Sequence, residues 1–200
     1  MSAIALNPDD DRAVSSSSSA AIDGGMQLWA GLSYGSASFV NYLVLSGVVH
    51  LPNPGMIGMV WMAATAAFVL FGVVLKVGTD RAVLKDAGFR RFRAAWGSLI
   101  LGAAFLVGGM IIMMLKFGQG LNIPFITAPI AMVVYGIGWR LAAVMSGRKW
   151  PNILSLGSFL GAIYLATLAG TPQQSLVYTL CLIVFAVIPG LALLLRRTPA

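Results

Sequence analysis

Long apolar runs alternate with short polar stretches between residues 26 and 195. A helix that crosses the hydrocarbon of a bilayer needs roughly 20 apolar residues, within a working range of about 17–25. In lipid, each segment must also satisfy its own backbone polar groups, so such runs predict helices. The sequence therefore predicts an all-α integral membrane bundle of about six transmembrane helices. Their approximate spans are 27–49, 56–76, 95–115, 125–146, 153–170 and 175–195.

Proline and glycine mark the boundaries between these runs. The stretches HLPNPG, FGQGLNIP, GRKWPN and GTPQQ follow the first, third, fourth and fifth runs. Because proline lacks a backbone N–H and cannot continue a helix, each stretch predicts a turn. Two further prolines, Pro129 and Pro189, fall inside the fourth and sixth runs. Each removes one helical hydrogen bond, so we expect a kink or local unwinding there.

The composition favours lipid as the solvent for most of the chain. Hydrophobic residues make up 58% of the sequence and charged residues only 10%. A soluble domain typically carries about 25% charged residues. So few charges cannot build the mostly polar exterior of a soluble protein.

Residues 1–25 differ in composition from the rest of the chain. They contain the acidic run at positions 9–11 and a serine tract at positions 15–19. A segment with so little apolar content cannot offset the entropy of ordering, which predicts a disordered tail. The transmembrane domain is then residues 26–200, with a basic loop at 77–94.

The basic residues indicate the orientation of the chain. If the first run starts in the cytoplasm, the tail, residues 77–94, residues 147–152 and the C-terminus are cytoplasmic. All lysines and arginines except Lys116 lie in those segments or in the adjoining helix ends. This asymmetry follows the positive-inside rule and predicts cytoplasmic N- and C-termini. Short loops combined with this bias are typical of a bacterial inner membrane protein.

The basic loop at 77–94 contains the stretch GFRRFRAAWG, which leads directly into the third apolar run. Its arginines fix the start of that helix on the cytoplasmic side, next to an interfacial tryptophan. They are also suited to attract anionic lipid headgroups. A nucleic-acid interface is disfavoured because the arginines adjoin a membrane helix. Candidate lipid contacts are Arg81, Lys85, Arg90, Arg91, Arg93 and, on the fourth run, Arg140.

Arg140 lies inside its predicted helix, about 10 Å from the cytoplasmic end. No acidic residue falls in any predicted span to pair with it. Two interpretations stay open. The side chain extends along the helix to the headgroup region, or it forms a binding site for an anion or a lipid headgroup.

The first helix is the most polar of the six. Small and polar residues recur on it at helical spacing, and an amide at Asn41 adds to them. In lipid these groups need partners, so this helix either packs inside the bundle or lines a cavity. Glycines four residues apart allow close helix contacts in the fifth helix as well. The candidate packing or cavity residues are Gly31, Gly35, Ser38, Asn41, Tyr42, Gly157 and Gly161.

The residues that usually carry catalysis or hold metals are scarce. The chain has one histidine, His50, and one cysteine, Cys181, too few for a metal cluster built from these residues. It contains no phosphate-binding Walker motif. We therefore expect no cofactor and no metal, and the sequence favours a protein that is not an enzyme.

Three functions agree with this pattern. The first is a non-enzymatic accessory, assembly or structural membrane component that binds a membrane-protein partner or a second copy of itself. The alternative is a facilitator or transporter of a neutral or lipid-like small molecule, without proton coupling through an intramembrane acid. The third is a lipid-modifying enzyme at the cytoplasmic face, for which Asp80 and Asp86 are the nearby acids.

Overall fold

The computed structural model describes residues 24–53, 56–78, 90, 94–102, 105 and 123–195. Every regular element in these ranges is a helix. A π-helical turn, Ile183–Val187, joins the last two helices into one continuous rod, and residues 94–102 are also helical. The named helices are α1 (Gly24–Leu45), α2 (Met56–Gly78), α3 (Ile123–Ser146), α4 (Trp150–Thr167), α5 (Pro172–Leu182) and α6 (Ile188–Leu195).

Three of the described helical segments are long and apolar enough to cross a membrane: Met56–Val74, Ile126–Ser146 and Pro172–Leu195. The protein is thus a helical bundle with three candidate membrane spans in its described part. The sequence predicted about six such spans. The difference falls on α1 and α4, which carry more polar residues, and on the run 95–115, most of which lies outside the described residues.

Two other predictions also concern residues beyond the described ranges. The disordered tail, residues 1–25, is described only at its last two positions. The basic loop, residues 77–94, is described at both edges and at Arg90. The first helix ends at Leu45 rather than at residue 49, because Gly47 adopts a φ of +76°, which stops the helix.

Helices α1 and α2 run antiparallel, and so do α3 and α4. The indole Nε1 of Trp29 on α1 donates to the carbonyl of Ala67 on α2 at 2.9 Å. The hydroxyl of Ser155 on α4 donates to the carbonyl of Gly136 on α3 at 2.7 Å. The rod of α5, the π-helical turn and α6, which we call the C-terminal rod, runs antiparallel to both α1 and α4.

This arrangement gathers five helix ends at one end of the bundle. The starts of α1 and α4 lie there together with the ends of α2, α3 and α6. Arg140, Arg148 and Lys149 also lie there, so we call it the basic end. His50 follows α1 at the opposite end.

The core has two parts along the bundle axis. At the basic end, Trp139, Ala142 and Leu193 are buried, and Trp96 from the helical segment 94–102 packs against them. Deeper in the bundle, α3, α4 and α5 share the second cluster. Its buried members are Ala128, Met132, Ala162, Leu165, Tyr178 and Leu182.

The first and last helices meet at glycines. A Cβ atom added to Gly190 would lie 2.5 Å from the backbone nitrogen of Leu28 and 2.7 Å from the carbonyl oxygen of Gly24. No other residue leaves enough room for two helix backbones at this distance. The crossing therefore fixes how α1 packs on the C-terminal rod.

Pro189 lies in α6, two residues after the π-helical turn. In a regular α-helix, the amide of residue 189 would donate to the carbonyl of Phe185, and proline has no N–H to give. The indole Nε1 of Trp139 on α3 donates to that carbonyl instead, at 2.9 Å. The other intrahelical proline, Pro129, lies within α3, which continues through it.

Candidate functional site

The polar face of α1 lies against the C-terminal rod. The hydroxyl of Ser38 donates to the carbonyl of Ser175 at 2.8 Å, and the side-chain amide of Asn41 donates to the Ser175 hydroxyl at 2.9 Å. The Thr179 hydroxyl donates to the carbonyl of Gly35 at 3.3 Å, a third bond between α1 and the C-terminal rod. All of these side chains are buried. The polar groups of this face therefore bond to a neighbouring helix.

The two glycines of the same face also meet the C-terminal rod. Gly31 faces Ala186 and Val187 of the π-helical turn, and Gly35 faces Leu182. Tyr42 is placed differently. It is half-buried, and its ring stacks on Phe39 of its own helix.

The second pair of glycines, Gly157 and Gly161 on α4, also faces the C-terminal rod. The ring of Phe185 fills the space beside Gly157, and the sulfur of Cys181 lies near Gly161. All four candidate glycines thus occupy contacts between helices of the same chain. The single cysteine is half-buried in the same contact.

A groove separates the other side of α1 from α2. Its volume is about 470 Å³ and it is open to the outside of the bundle. Small side chains make up much of its lining, because serine and alanine face each other across the two helices. The lining residues are Trp29, Leu32, Ser33, Ser36, Ala37, Val40, Val60, Ala63, Ala64 and Ala67.

No protein-family model, curated protein or solved structure matches this chain.

Arg140 lies on the exposed side of α3. Its Nη1 donates to the side-chain oxygen of Asn152, in the first turn of α4, at 2.5 Å. Arg148 and Lys149 are exposed in the turn that joins these two helices. Among the other candidate lipid contacts, Arg90 is exposed, and Arg81, Lys85, Arg91 and Arg93 lie outside the described residues.

The described ranges contain no aspartate, and the chain has no glutamate. Within them, no three histidine, cysteine or acidic residues come together. Asp80 and Asp86, the acids considered for lipid chemistry, fall outside these ranges.

Sequence reasoning missed three partners: Ser175, Asn152 and the groove face of α2. Ser175 lies in the stretch TPQQS, whose local pattern predicts only a turn followed by a helix. The polar residues of this stretch could indicate the contact with α1, because a buried polar face on one membrane helix needs a polar partner on another. No comparable signal marks the groove, since its shape depends on the separation of two helices.

Proposed function

We propose that this protein is a non-enzymatic, multi-pass membrane component that binds another membrane protein through helix contacts. The groove between α1 and α2 supports the proposal. In lipid, helices associate through close packing and not through the hydrophobic effect, so small residues favour association. Serine and alanine on the α1 wall and alanine on the α2 wall leave room for an apolar helix of a partner protein.

The hydrogen bonds of α1 favour this function over transport of a polar molecule. A facilitator of a polar molecule needs polar groups along its path, and α1 is the described helix that could supply them. Ser38 and Asn41 instead bond to Ser175 on the C-terminal rod. The groove on the other side of α1 is mostly apolar.

A larger side chain placed in the groove tests the proposed function. Ala63→Leu adds bulk at an exposed position of the groove wall, so we expect a partner protein that co-purifies with the wild type to be lost. Native mass spectrometry of the protein extracted with its surrounding lipid measures that loss. The matched control is Ala166→Leu, which makes the same change at an exposed position of α4 and should retain the partner.

The test has two contrary outcomes. If both variants retain the partner protein equally, the groove is not part of the interface. A wild-type protein without any protein partner, but retaining one lipophilic molecule that Ala63→Leu excludes, would support the facilitator function instead.

We further propose that the chain crosses a bacterial inner membrane about six times, with both termini in the cytoplasm. Helices α1 and α4 are then spans whose polar residues lie inside the bundle. The antiparallel order supports this topology, because it places the described loop residues Arg148 and Lys149 at one end and His50 at the other. The basic end would face the cytoplasm by the positive-inside rule.

Cysteine labelling tests the orientation. In a Cys181→Ser background, which has no other cysteine, His50→Cys should react with a membrane-impermeant maleimide added to intact cells. Lys149→Cys should react only after the cells are permeabilised. The background protein without any cysteine is the control, and the reverse labelling pattern would contradict the proposed orientation.

A further inference from the structure

One charged residue interrupts an otherwise apolar, outward-facing stripe of α3. The exposed positions Val133, Ile137, Arg140 and Val144 follow one another at intervals of four, three and four residues, which places them on one helix face. In a membrane, this face meets lipid. Arg140 lies six residues before Ser146, the last residue of α3, and therefore about 9 Å inside the helix end.

Asn152, the third residue of α4, holds the guanidinium near the start of that helix. Its side-chain oxygen accepts a hydrogen bond from Arg140 Nη1, across the seam between α3 and α4. This bond uses one of the five N–H donors that a guanidinium carries. A planar group with several donors is well suited to a phosphate, which accepts two parallel hydrogen bonds.

The charge around this seam is entirely positive in the described part of the chain. Arg148 and Lys149 are exposed in the turn next to it, and the described residues include no carboxylate. An anion is therefore the complementary ligand. Because Asn152 is also the residue that orients the guanidinium, the site consists of side chains from two helices.

The apolar residues beside the site indicate which kind of anion binds there. One turn deeper than Arg140 and Asn152, the seam carries Ile137 on α3 and Leu156 on α4, both exposed. A free phosphate ion gains nothing from contact with this apolar surface. A phospholipid does, because its acyl chains extend from the phosphate toward the membrane centre, as Ile137 and Leu156 lie deeper than Arg140.

We propose that Arg140, positioned by Asn152, binds the phosphate of an anionic phospholipid in the leaflet at the basic end. Arg148 and Lys149 add attraction for the negative headgroup, and Ile137 and Leu156 contact the acyl chains. This inference rests on the membrane location of the bundle and does not depend on a protein partner.

Lipid titration of the purified full-length protein tests the site. Native mass spectrometry in the presence of phosphatidylglycerol gives the affinity of each variant, with phosphatidylcholine as the lipid of zero net charge. We expect Arg140→Gln to weaken phosphatidylglycerol binding about tenfold, because it removes a charge-assisted hydrogen bond. The matched control, Arg148→Gln, removes the same charge in the turn and should weaken binding less than Arg140→Gln does.

A second variant keeps the charge and tests the role of Asn152. Asn152→Ala leaves the arginine in place without its partner, and we expect a weakening between those of the control and Arg140→Gln. Wild-type affinity in both Arg140→Gln and Asn152→Ala would overturn the proposal. So would equal binding of the two lipids, or displacement of phosphatidylglycerol by an equimolar amount of inorganic phosphate.

Discussion

Gly190→Ala will destabilise the protein by about 1–3 kcal/mol, the usual cost of overpacking a tight contact. The new methyl group would lie 2.5 Å from the backbone nitrogen of Leu28 and 2.7 Å from the carbonyl of Gly24. Backbone atoms cannot rotate aside as a side chain can, so α1 has to move away from α6. This cost exceeds the gain in helix propensity of about 1 kcal/mol that alanine brings.

Gly35→Ala is the matched control, since it also replaces a glycine by alanine where α1 meets the C-terminal rod. Its methyl group would meet only the Cβ atom of Leu182, at 3.9 Å, which is ordinary van der Waals contact. We expect it to be neutral or slightly stabilising. Thermal unfolding of both variants in the same detergent measures the difference, and an equal Tm for the two would contradict the tight crossing.

Trp139→Phe will destabilise the protein by about 1–3 kcal/mol, the cost of leaving a buried polar group unpaired. Phenylalanine keeps an aromatic ring in the core but cannot donate to the carbonyl of Phe185. Trp139 is only 1% exposed, so water has little access to the place of the lost donor. The variant therefore removes the bond that substitutes for the missing amide of Pro189.

A double-mutant cycle isolates this role. Pro189→Ala gives residue 189 a backbone N–H, which proline lacks and which a regular α-helix would direct to the carbonyl of Phe185. In the Pro189→Ala background, Trp139→Phe should destabilise the protein less than it does in the wild type. We expect a coupling energy of about 0.5–3 kcal/mol between the two positions. Denaturant titrations of the four proteins provide the cycle. An identical cost of Trp139→Phe with and without the proline would show that the indole acts only through packing.

Local pattern was sufficient to predict much of the bundle. The apolar runs predict helices because backbone groups in lipid must bond within their own segment, and α2 and α3 appear close to the expected positions. The polar face of α1 also follows from helical spacing. Gly31, Gly35 and Ser38 do lie together on a buried face.

Pairing between distant helices could not be predicted in this way. Nothing near Ser38 in the sequence indicates that its partner is Ser175, and nothing near Arg140 indicates Asn152. Helical spacing shows which residues share a face, but it does not show which helix that face meets. For the last helix, the sequence predicted a kink or local unwinding at Pro189 but not the π-helical turn that ends two residues before it.

The bonds between α1 and the C-terminal rod have a consequence for biosynthesis. Asn41 is separated from its partner Ser175 by 134 residues, and Gly35 from Thr179 by 144 residues. The ribosome makes α1 long before these partners exist. The polar groups of α1 therefore cannot make these bonds until the C-terminal rod has been synthesised. Helix α1 reaches its final packing only at that point, although its own residues were made much earlier.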